Sequence, residues 1–221
     1  IIKMANMNFF FLCTISIIYS ILFIFWPDSY QFLTYTEYGL VETLTALFYL
    51  ITSSVCLYSL FQKKTTKKAL IWFFFLFSLL CFLEETNWLQ NYINYSVESI
   101  QSQNSQDSVN IHNLYIFQGG SLLKSQLSFS ILLKSQNLFR IFFSTYFIFL
   151  PFLYRLHRKT RKSLDKINFL SPDNYFLFTL LFNLFLNIFL LILVQGNKFE
   201  FQYSKSLAEI RELIYSMYIF S

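Results

Sequence analysis

Histidine, cysteine and glycine are scarce in this chain, and their scarcity limits the chemistry it can perform. Two His, three Cys and four Gly occur among 221 residues. Cys13, Cys56 and Cys81 are odd in number and lie inside apolar runs away from both histidines, which argues against a disulfide framework and a zinc site. No Cys-x-x-Cys pair, glycine-rich phosphate loop or Ser-His-Asp order is present, so the common motifs of redox, nucleotide and hydrolytic chemistry are missing.

Charge is also scarce, and this places the chain in lipid. Only 13% of residues are charged, whereas a soluble domain carries roughly 25%. Apolar residues make up 55%, and the aromatic share of 22% is mostly Phe, an excess that AT-rich coding produces without any cofactor. The net charge of +5 comes from Lys and Arg in short segments between apolar runs, where membrane topology explains them better than nucleic acid does. We therefore expect the lipid bilayer as a partner and no nucleic acid.

Six apolar runs are long enough to predict an all-α bundle of six transmembrane helices in a single domain over 1–221. A helix needs about 20 mostly apolar residues to cross the hydrocarbon core. The predicted spans are 7–26, 38–61, 69–83, 138–154, 175–194 and 206–220. The first is longer than the apolar part of a signal peptide and is not followed by a small-x-small cleavage site. Pro151 is expected to kink the fourth near its end.

The outer loop between the third and fourth spans, 84–137, holds a segment with two interpretations. Leu-Leu-Lys-Ser-Gln occurs at 122–126 and again at 132–136. A helix over 121–136 would be amphipathic and could lie in the membrane interface, with Lys124 and Lys134 reaching toward water. A chance repeat in a Ser/Gln/Leu-rich stretch is the other interpretation.

The distribution of charge orients the bundle with both termini in the cytoplasm. Eleven of the seventeen basic residues then lie inside: Lys3, four lysines over 63–68, and six Lys or Arg from Arg155 to Lys166. Ten of the twelve acids lie outside: Asp28, Glu37, Glu42, Glu84, Glu85, Glu98, Asp107, Glu200, Glu209 and Glu212. This follows the positive-inside rule, which five or seven spans would break. The membrane is a bacterial inner, thylakoid or organellar one.

Carboxylates and polar residues concentrate at the outer ends of three spans, and they form the candidate site. Its members are Glu37, Glu42, Glu84, Glu85, Asn87, Trp88, Gln90, Asn110, His112, Asn113, Glu209 and Glu212. Glu42 is placed one and a half turns inside its span, so it should face the bundle rather than lipid. Glu209 and Glu212 are three residues apart and share a helix face.

A structural interpretation competes with a functional one. Acids in a first helical turn favour the helix dipole, which accounts for Glu37, Glu209 and Glu212. Glu84 and Glu85 lie at a helix C-terminus, where the dipole disfavours them, so they need a partner. Arg140 is the nearest candidate and would make the cluster an ion-pair network. Asn183 and Asn187 share a face of the fifth span and are expected to join it to a neighbouring helix or, alternatively, to line a polar pore.

Four short segments carry a resemblance to a known family. They are Glu37-Tyr38-Gly39-Leu40-Val41-Glu42, Glu84-Glu85-Thr86-Asn87-Trp88-Leu89-Gln90, Asn110-Ile111-His112-Asn113-Leu114 and Glu209-Ile210-Arg211-Glu212. They resemble motifs of uncharacterised bacterial multi-span membrane proteins, which have Glu-x-Gly-Leu-Val-Glu, Glu-Glu-x-x-Trp-Gly-Gln, Asn-x-His-Asn and a late Glu-rich helix start in the same order. The resemblance implies a shared outer site and no named activity. It departs at Leu89, where glycine is usual.

Two functions stay open. The first is an accessory or structural subunit of a larger membrane complex, with other integral subunits as partners; an energy-transducing or photosynthetic complex is a special case. The second is a membrane enzyme or ion-handling protein that binds a divalent cation through Glu84, Glu85, His112, Glu209 and Glu212, whose oxygen-rich set suits Ca²⁺ or Mg²⁺. A zinc hydrolase is disfavoured because His112 and His157 are predicted on opposite sides. A divalent cation, lipid or pigment is the open choice of cofactor, and no catalytic residue is assigned.

Overall fold

Helices account for nearly all of the structure, as the composition predicts. The computed structural model describes residues 2–26, 39–62, 67–93, 95–104, 109, 111, 114, 135–167, 169, 171–172, 174–196 and 201–220. Within these residues there is no β-strand, and the one β-type pairing is an isolated antiparallel bridge between Asn104 and Leu114. The predicted all-α class is therefore confirmed for the described part of the chain.

The helices follow the apolar runs closely. Their bounds are α1 Ile2–Phe25, α2 Leu40–Phe61, α3 Lys68–Glu85, α4 Gln90–Ile93, α5 Glu98–Gln101, α6 Ser135–Ser144, α7 Leu150–Leu156, α8 Arg158–Lys166, α9 Asn174–Gly196 and α10 Phe201–Phe220. A left-handed turn, Asn87–Leu89, joins α3 to α4, and a π-helical turn, Thr145–Phe149, joins α6 to α7. The predicted helix over 121–136 falls almost wholly outside the described residues, which resume at 135.

Three helices of the described residues are long and apolar enough to cross a membrane: Leu40–Phe61, Asn137–Leu156 and Asn174–Leu193. Leu12–Phe25 is a shorter apolar helix. Helix α3 has three charged residues among its 18, at Lys68, Glu84 and Glu85, and α10 contains Lys205, Glu209, Arg211 and Glu212. Three of the six predicted spans are thus long and apolar enough to cross a membrane, and the structure is compatible with a membrane protein.

The chain divides into two compact units. Unit 1 comprises Ile1–Lys63 and Pro172–Ser221, and unit 2 comprises Lys64–Ser171. In unit 1, α10 packs against α2 and α9, and α9 packs against α1. Helix α10 is buried on every face over the six residues from Leu213 to Tyr218. It is the centre of this unit.

Small and hydroxyl residues on α2 line the side that packs against α10. The buried residues of α2 are Val41, Thr45, Ala46, Tyr49, Thr52 and Ser53, which recur at helical spacing on one face. The hydroxyls of Thr45 and Thr52 donate to the carbonyls four residues earlier, at 2.9 and 2.8 Å, so they enter the interface without an unpaired polar group. Such residues allow close approach of helix backbones in an apolar medium.

In unit 2, aromatic rings join α3 to the helix over 135–156. The Phe77 and Phe142 ring centroids lie 4.9 Å apart, and those of Phe74 and Tyr146 lie 5.3 Å apart with an edge-to-face geometry. Pro151 is fully buried in α7 and does not end the helix. Because proline cannot donate a backbone hydrogen bond, the helix must change its pattern nearby, and the turn just before it is π-helical. The structure thus shows a local change of helix type before Pro151, and the predicted kink stays a prediction.

Candidate functional site

The predicted site residues fall in both units, and each set is considered within its own. Glu42, Glu209 and Glu212 belong to unit 1, and Glu84, Glu85, Asn87, Trp88 and Gln90 belong to unit 2. Glu37, Asn110, His112 and Asn113 lie outside the described residues, although Val109, Ile111 and Leu114 beside them are described. The geometry of the site is therefore clearest at the end of α3.

The chain leaves α3 through three consecutive residues in the left-handed region. Asn87, Trp88 and Leu89 have φ values of 48°, 54° and 62°. This conformation costs an L-residue roughly 1–2 kcal/mol, and only asparagine among the three adopts it readily. The turn is closed by the Leu89 N–H, which donates to the Thr86 carbonyl at 2.9 Å. Strain of this size persists only where the surrounding contacts impose it.

The carboxylate of Glu84 supplies such contacts. Its Oε1 accepts a hydrogen bond from the Trp88 indole Nε1 at 2.6 Å. The Ile111 backbone N–H donates to both carboxylate oxygens, at 2.9 Å to Oε2 and 3.1 Å to Oε1. One side chain therefore fixes the turn that follows it and anchors a segment 27 residues further along the chain. Hydrogen bonds to an ionised acceptor are the stronger kind, about 1.5–3 kcal/mol each.

Two further contacts hold the same loop. The Gln90 side-chain oxygen accepts from the Val109 N–H at 3.0 Å, two residues before Ile111. The Tyr95 hydroxyl donates to the Trp88 carbonyl at 2.8 Å, on the other side of the strained turn. Val109 and Asn104 are buried in this region. The predicted return of the loop to the end of the third span is thus seen at Val109 and Ile111.

Neutral donors contact Glu84 in the structure. They are an indole N–H and a backbone N–H, and each satisfies a lone pair of the carboxylate. The sequence also predicts Arg140 as a group that stabilises an acid at this helix end. The predicted pairing of Arg140 with the acids stays a prediction.

The acids of unit 1 occupy different helical positions from those predicted. Helix α2 begins at Leu40, so Glu42 lies in its first turn, where the helix dipole favours a carboxylate. Helix α10 begins at Phe201 rather than near 206, so Glu209 and Glu212 lie beyond its first turn. The dipole therefore accounts for Glu42 and no longer for Glu209 and Glu212, the reverse of the predicted assignment. All three side chains are half-buried.

Metal binding by the acids finds limited support in this geometry. Among the described residues, no three His, Cys, Asp or Glu side chains come together as a ligand set; His112 is not among those residues. The Trp88 and Ile111 N–H groups already donate to both oxygens of Glu84. A metal bound through both oxygens would compete with these donors. The arrangement is that of a structural clamp.

A second polar group, in the core of unit 1, was only partly indicated by the sequence. The Ser16 hydroxyl of α1 lies within hydrogen-bonding distance of the Asn183 Oδ1 of α9. The Asn183 Nδ2 donates to the Tyr218 hydroxyl of α10 at 3.2 Å and to the Thr179 carbonyl at 3.0 Å. All of these side chains are buried. Asn183 thus links three helices, which confirms that its face joins α9 to its neighbours.

One turn further along α9 the pairing is incomplete. Asn187 and Tyr19 are 5% and 3% exposed. The Asn187 Oδ1 and the Tyr19 hydroxyl have no hydrogen-bond partner within the described residues, although the two side chains are close enough to interact electrostatically. Four-residue spacing predicted the shared face of Asn183 and Asn187, but it carries no information on which helix supplies each partner.

No protein-family model, curated protein or solved structure matches this chain. The resemblance of the four segments to a bacterial membrane-protein family therefore remains a prediction, and the functional argument depends on the geometry alone.

Proposed function

We propose that this chain is an integral membrane accessory or structural subunit of a larger membrane complex. In this proposal all six long helices, α1, α2, α3, the helix over 135–156, α9 and α10, cross the membrane, with both termini in the cytoplasm and the end of α3 on the opposite side. The charge distribution supports this orientation, because the basic residues near α8 and before α3 then lie inside.

The hydrogen bonding of Glu84 carries the proposal. This carboxylate is the best-placed acid of the candidate site, and it holds its own turn and loop through Trp88 and Ile111. A group engaged in this way has a structural role at the end of α3. The polar groups around Asn183 are likewise paired between helices. The outer surface of the helices is suited to lipid and to neighbouring subunits.

The outward faces of the helices support the same conclusion. Large aromatic side chains that are more than half exposed include Phe25, Tyr58, Phe61, Phe152, Phe178 and Phe185. Many exposed large apolar side chains on one protein are typical of a surface that contacts lipid or another protein. Other integral membrane proteins are therefore the expected partners, and a pigment-binding complex is the special case that would yield coloured material.

An enzyme or ion-handling protein is the second candidate, and one observation favours it. The Ile111 N–H bonds to Glu84, and Ile111 lies between Asn110 and His112 in the sequence. An imidazole and several oxygen ligands near one helix end could bind a divalent cation. In this candidate function Glu85, the next residue after Glu84, would supply a carboxylate ligand to the metal.

Purification in mild detergent distinguishes the two candidates. The subunit proposal predicts co-purifying polypeptides in stoichiometric amounts by mass spectrometry, with the same metal content in wild type and Glu85→Gln. Glu98→Gln is the matched control, since Glu98 is an exposed acid in the same unit. A solitary protein whose stoichiometric divalent metal disappears in Glu85→Gln but not in Glu98→Gln would establish the ion-handling function and refute the subunit proposal.

A further inference from the structure

The basic segment after α7, which the sequence presents as a charged loop, is an ordered helix. Helix α8 begins after His157, whose extended backbone and Nδ1 cap the first turn by accepting the Thr160 N–H at 3.3 Å. It ends at Lys166, where the Phe169 N–H donates to the Leu164 carbonyl at 3.0 Å. Leu164 and Phe169 are buried. The helix therefore has a fixed inner face.

Polar contacts lock α8 onto the end of α7. The Tyr154 hydroxyl donates to the Asp165 carboxylate at 2.8 Å. The Arg161 guanidinium donates to the Tyr154 carbonyl at 3.0 Å and to the Arg155 carbonyl at 3.2 Å, and it lies over the Tyr154 ring at 5.4 Å. Arg161 thus satisfies carbonyls that α7 leaves unpaired at its C-terminus. This arginine has a structural role in holding the two helices together.

The remaining cations of α8 point outward. Arg158, Lys159, Lys162 and Lys166 are exposed, and no side-chain acceptor is seen for them within the described residues. The residues 158, 162 and 166 recur every four positions, and Lys159 lies one turn before Lys162, so the four share one side of the helix. Leu164, on the inner face, is on the other side. An ordered cationic face results, and Asp165 and Arg161, which fix the helix, lie along one edge of it.

Exposed apolar side chains lie at both ends of this cationic face. Leu156, before α8, is 69% exposed, and Ile167, after it, is 67% exposed. The helix also follows directly on Asn137–Leu156, one of the three helices long and apolar enough to cross a membrane. A cationic helix at the end of a span, with apolar groups at either end, has the composition of a segment that lies on a bilayer surface.

We propose that α8 is a binding site for anionic phospholipids, with Lys159, Lys162, Lys166 and Arg158 contacting the headgroup phosphates. Leu156 and Ile167 insert between the acyl chains at either end. Lysine suits this role because its flexible ammonium contacts a phosphate as a point charge and needs no fixed geometry. A soluble acidic partner would leave the two apolar side chains in water, which is why the lipid surface is favoured over a protein.

The test uses the full-length protein, purified in mild detergent and incorporated into nanodiscs of phosphatidylcholine with and without phosphatidylglycerol. The lipid retained after detergent extraction is counted by native mass spectrometry. Each juxtamembrane basic residue is worth about 1 kcal/mol toward an anionic surface, so Lys159→Gln/Lys162→Gln should lower phosphatidylglycerol retention roughly 10- to 30-fold. Phosphatidylcholine retention should not change.

The control is Lys67→Gln/Lys68→Gln, which removes the same charge at the start of α3. It should reduce retention clearly less than Lys159→Gln/Lys162→Gln does, because α3 continues from Lys68 as an apolar helix and these two lysines are not part of a cationic helix face. Lys159→Arg/Lys162→Arg keeps the charge and should retain phosphatidylglycerol as the wild type does, which excludes misfolding as the cause of a loss.

Equal losses in the two Gln pairs would show a general charge effect and overturn the site. Unchanged retention in Lys159→Gln/Lys162→Gln would overturn it as well. If that pair instead loses a co-purifying acidic polypeptide and keeps its phosphatidylglycerol, α8 is a protein-docking surface and the lipid proposal is wrong. None of these outcomes depends on whether the chain is a subunit or an ion-handling protein.

Discussion

The two units differ in which polar groups form their hydrogen-bond networks. In the core of unit 1 the paired groups are neutral: Ser16, Asn183 and Tyr218 join three helices through amide and hydroxyl groups. In unit 2 the organising group is a carboxylate, and it lies at a helix end where Trp88 and a backbone N–H converge on it. In these two networks the charged group lies at a helix end where fixed donors contact it, and the neutral amide lies in the helix interior.

The difference has an energetic reason. Neutral hydrogen bonds between membrane helices contribute about 0.6 kcal/mol on average, since the separated helices also find partners. A carboxylate with several donors contributes more, but burying it without them is costly. Removing the carboxylate of unit 2 should therefore lower the free energy of unfolding more than removing one amide from the network of unit 1.

The sharpest way to break this comparison is Glu84→Ala. The change leaves the Trp88 and Ile111 N–H groups without their acceptor and releases the three left-handed residues, so we expect a loss of about 2–4 kcal/mol in the free energy of unfolding. Denaturation in detergent measures it, and limited proteolysis should show faster cleavage near 105–115. Glu98→Ala removes an exposed acid of the same unit and should cost less than about 0.5 kcal/mol. Equal costs for the two variants would refute the clamp.

The network of unit 1 is tested by comparing two asparagines one turn apart. Asn183→Leu removes the partner of Ser16 and Tyr218 and should destabilise the protein by about 1–2 kcal/mol. Asn187→Leu removes an amide whose oxygen has no hydrogen-bond partner among the described residues, so its cost should be smaller than that of Asn183→Leu and near zero. Thermal unfolding of both variants in the same detergent gives the comparison. If Asn187→Leu lowers the unfolding temperature more than Asn183→Leu does, Asn187 makes the more stabilising interaction and the comparison is wrong.

The long helices are the part of this fold that the sequence predicts best. For α1, α2 and α9, the predicted spans agree with the observed helix ends to within a few residues at most ends. The reason is that each of these helices coincides with a long uninterrupted apolar run. The start of α10 is missed, since Phe201 to Lys205 are mixed in polarity and give no apolar period. Helix α8 is missed for a related reason, since its sequence is almost entirely polar and charged and shows no apolar period. The buried Leu164 and the contacts of Tyr154 and Arg161 hold it in place, and these are visible only in the structure.

The candidate site divides in the same way. Glu84, Trp88 and Gln90 could be singled out from an acidic pair at a helix end followed by polar residues. Their partners could not, because the Ile111 and Val109 N–H groups are backbone atoms that leave no mark in the sequence. The left-handed turn is also unmarked, since Asn87-Trp88-Leu89 contains no glycine. A hydrogen-bonded carboxylate overrides the local preference of these residues, and only the folded chain shows it.

The smallest expected effect on stability concerns the backbone at Leu89. This is the position where the predicted family motif has glycine. Leu89 has a φ of 62°, whereas Leu83 lies inside α3. Comparing Gly with Ala at each position removes the side chain in both and leaves only the backbone preference. At 89 the Gly variant should be more stable than the Ala variant by about 1 kcal/mol, and at 83 it should be less stable by about 1 kcal/mol. Chemical denaturation of the four variants measures both signs. If Ala is preferred at both positions, the turn is right-handed in solution, and the hydrogen bonds of Glu84 do not hold Asn87, Trp88 and Leu89 in the strained conformation.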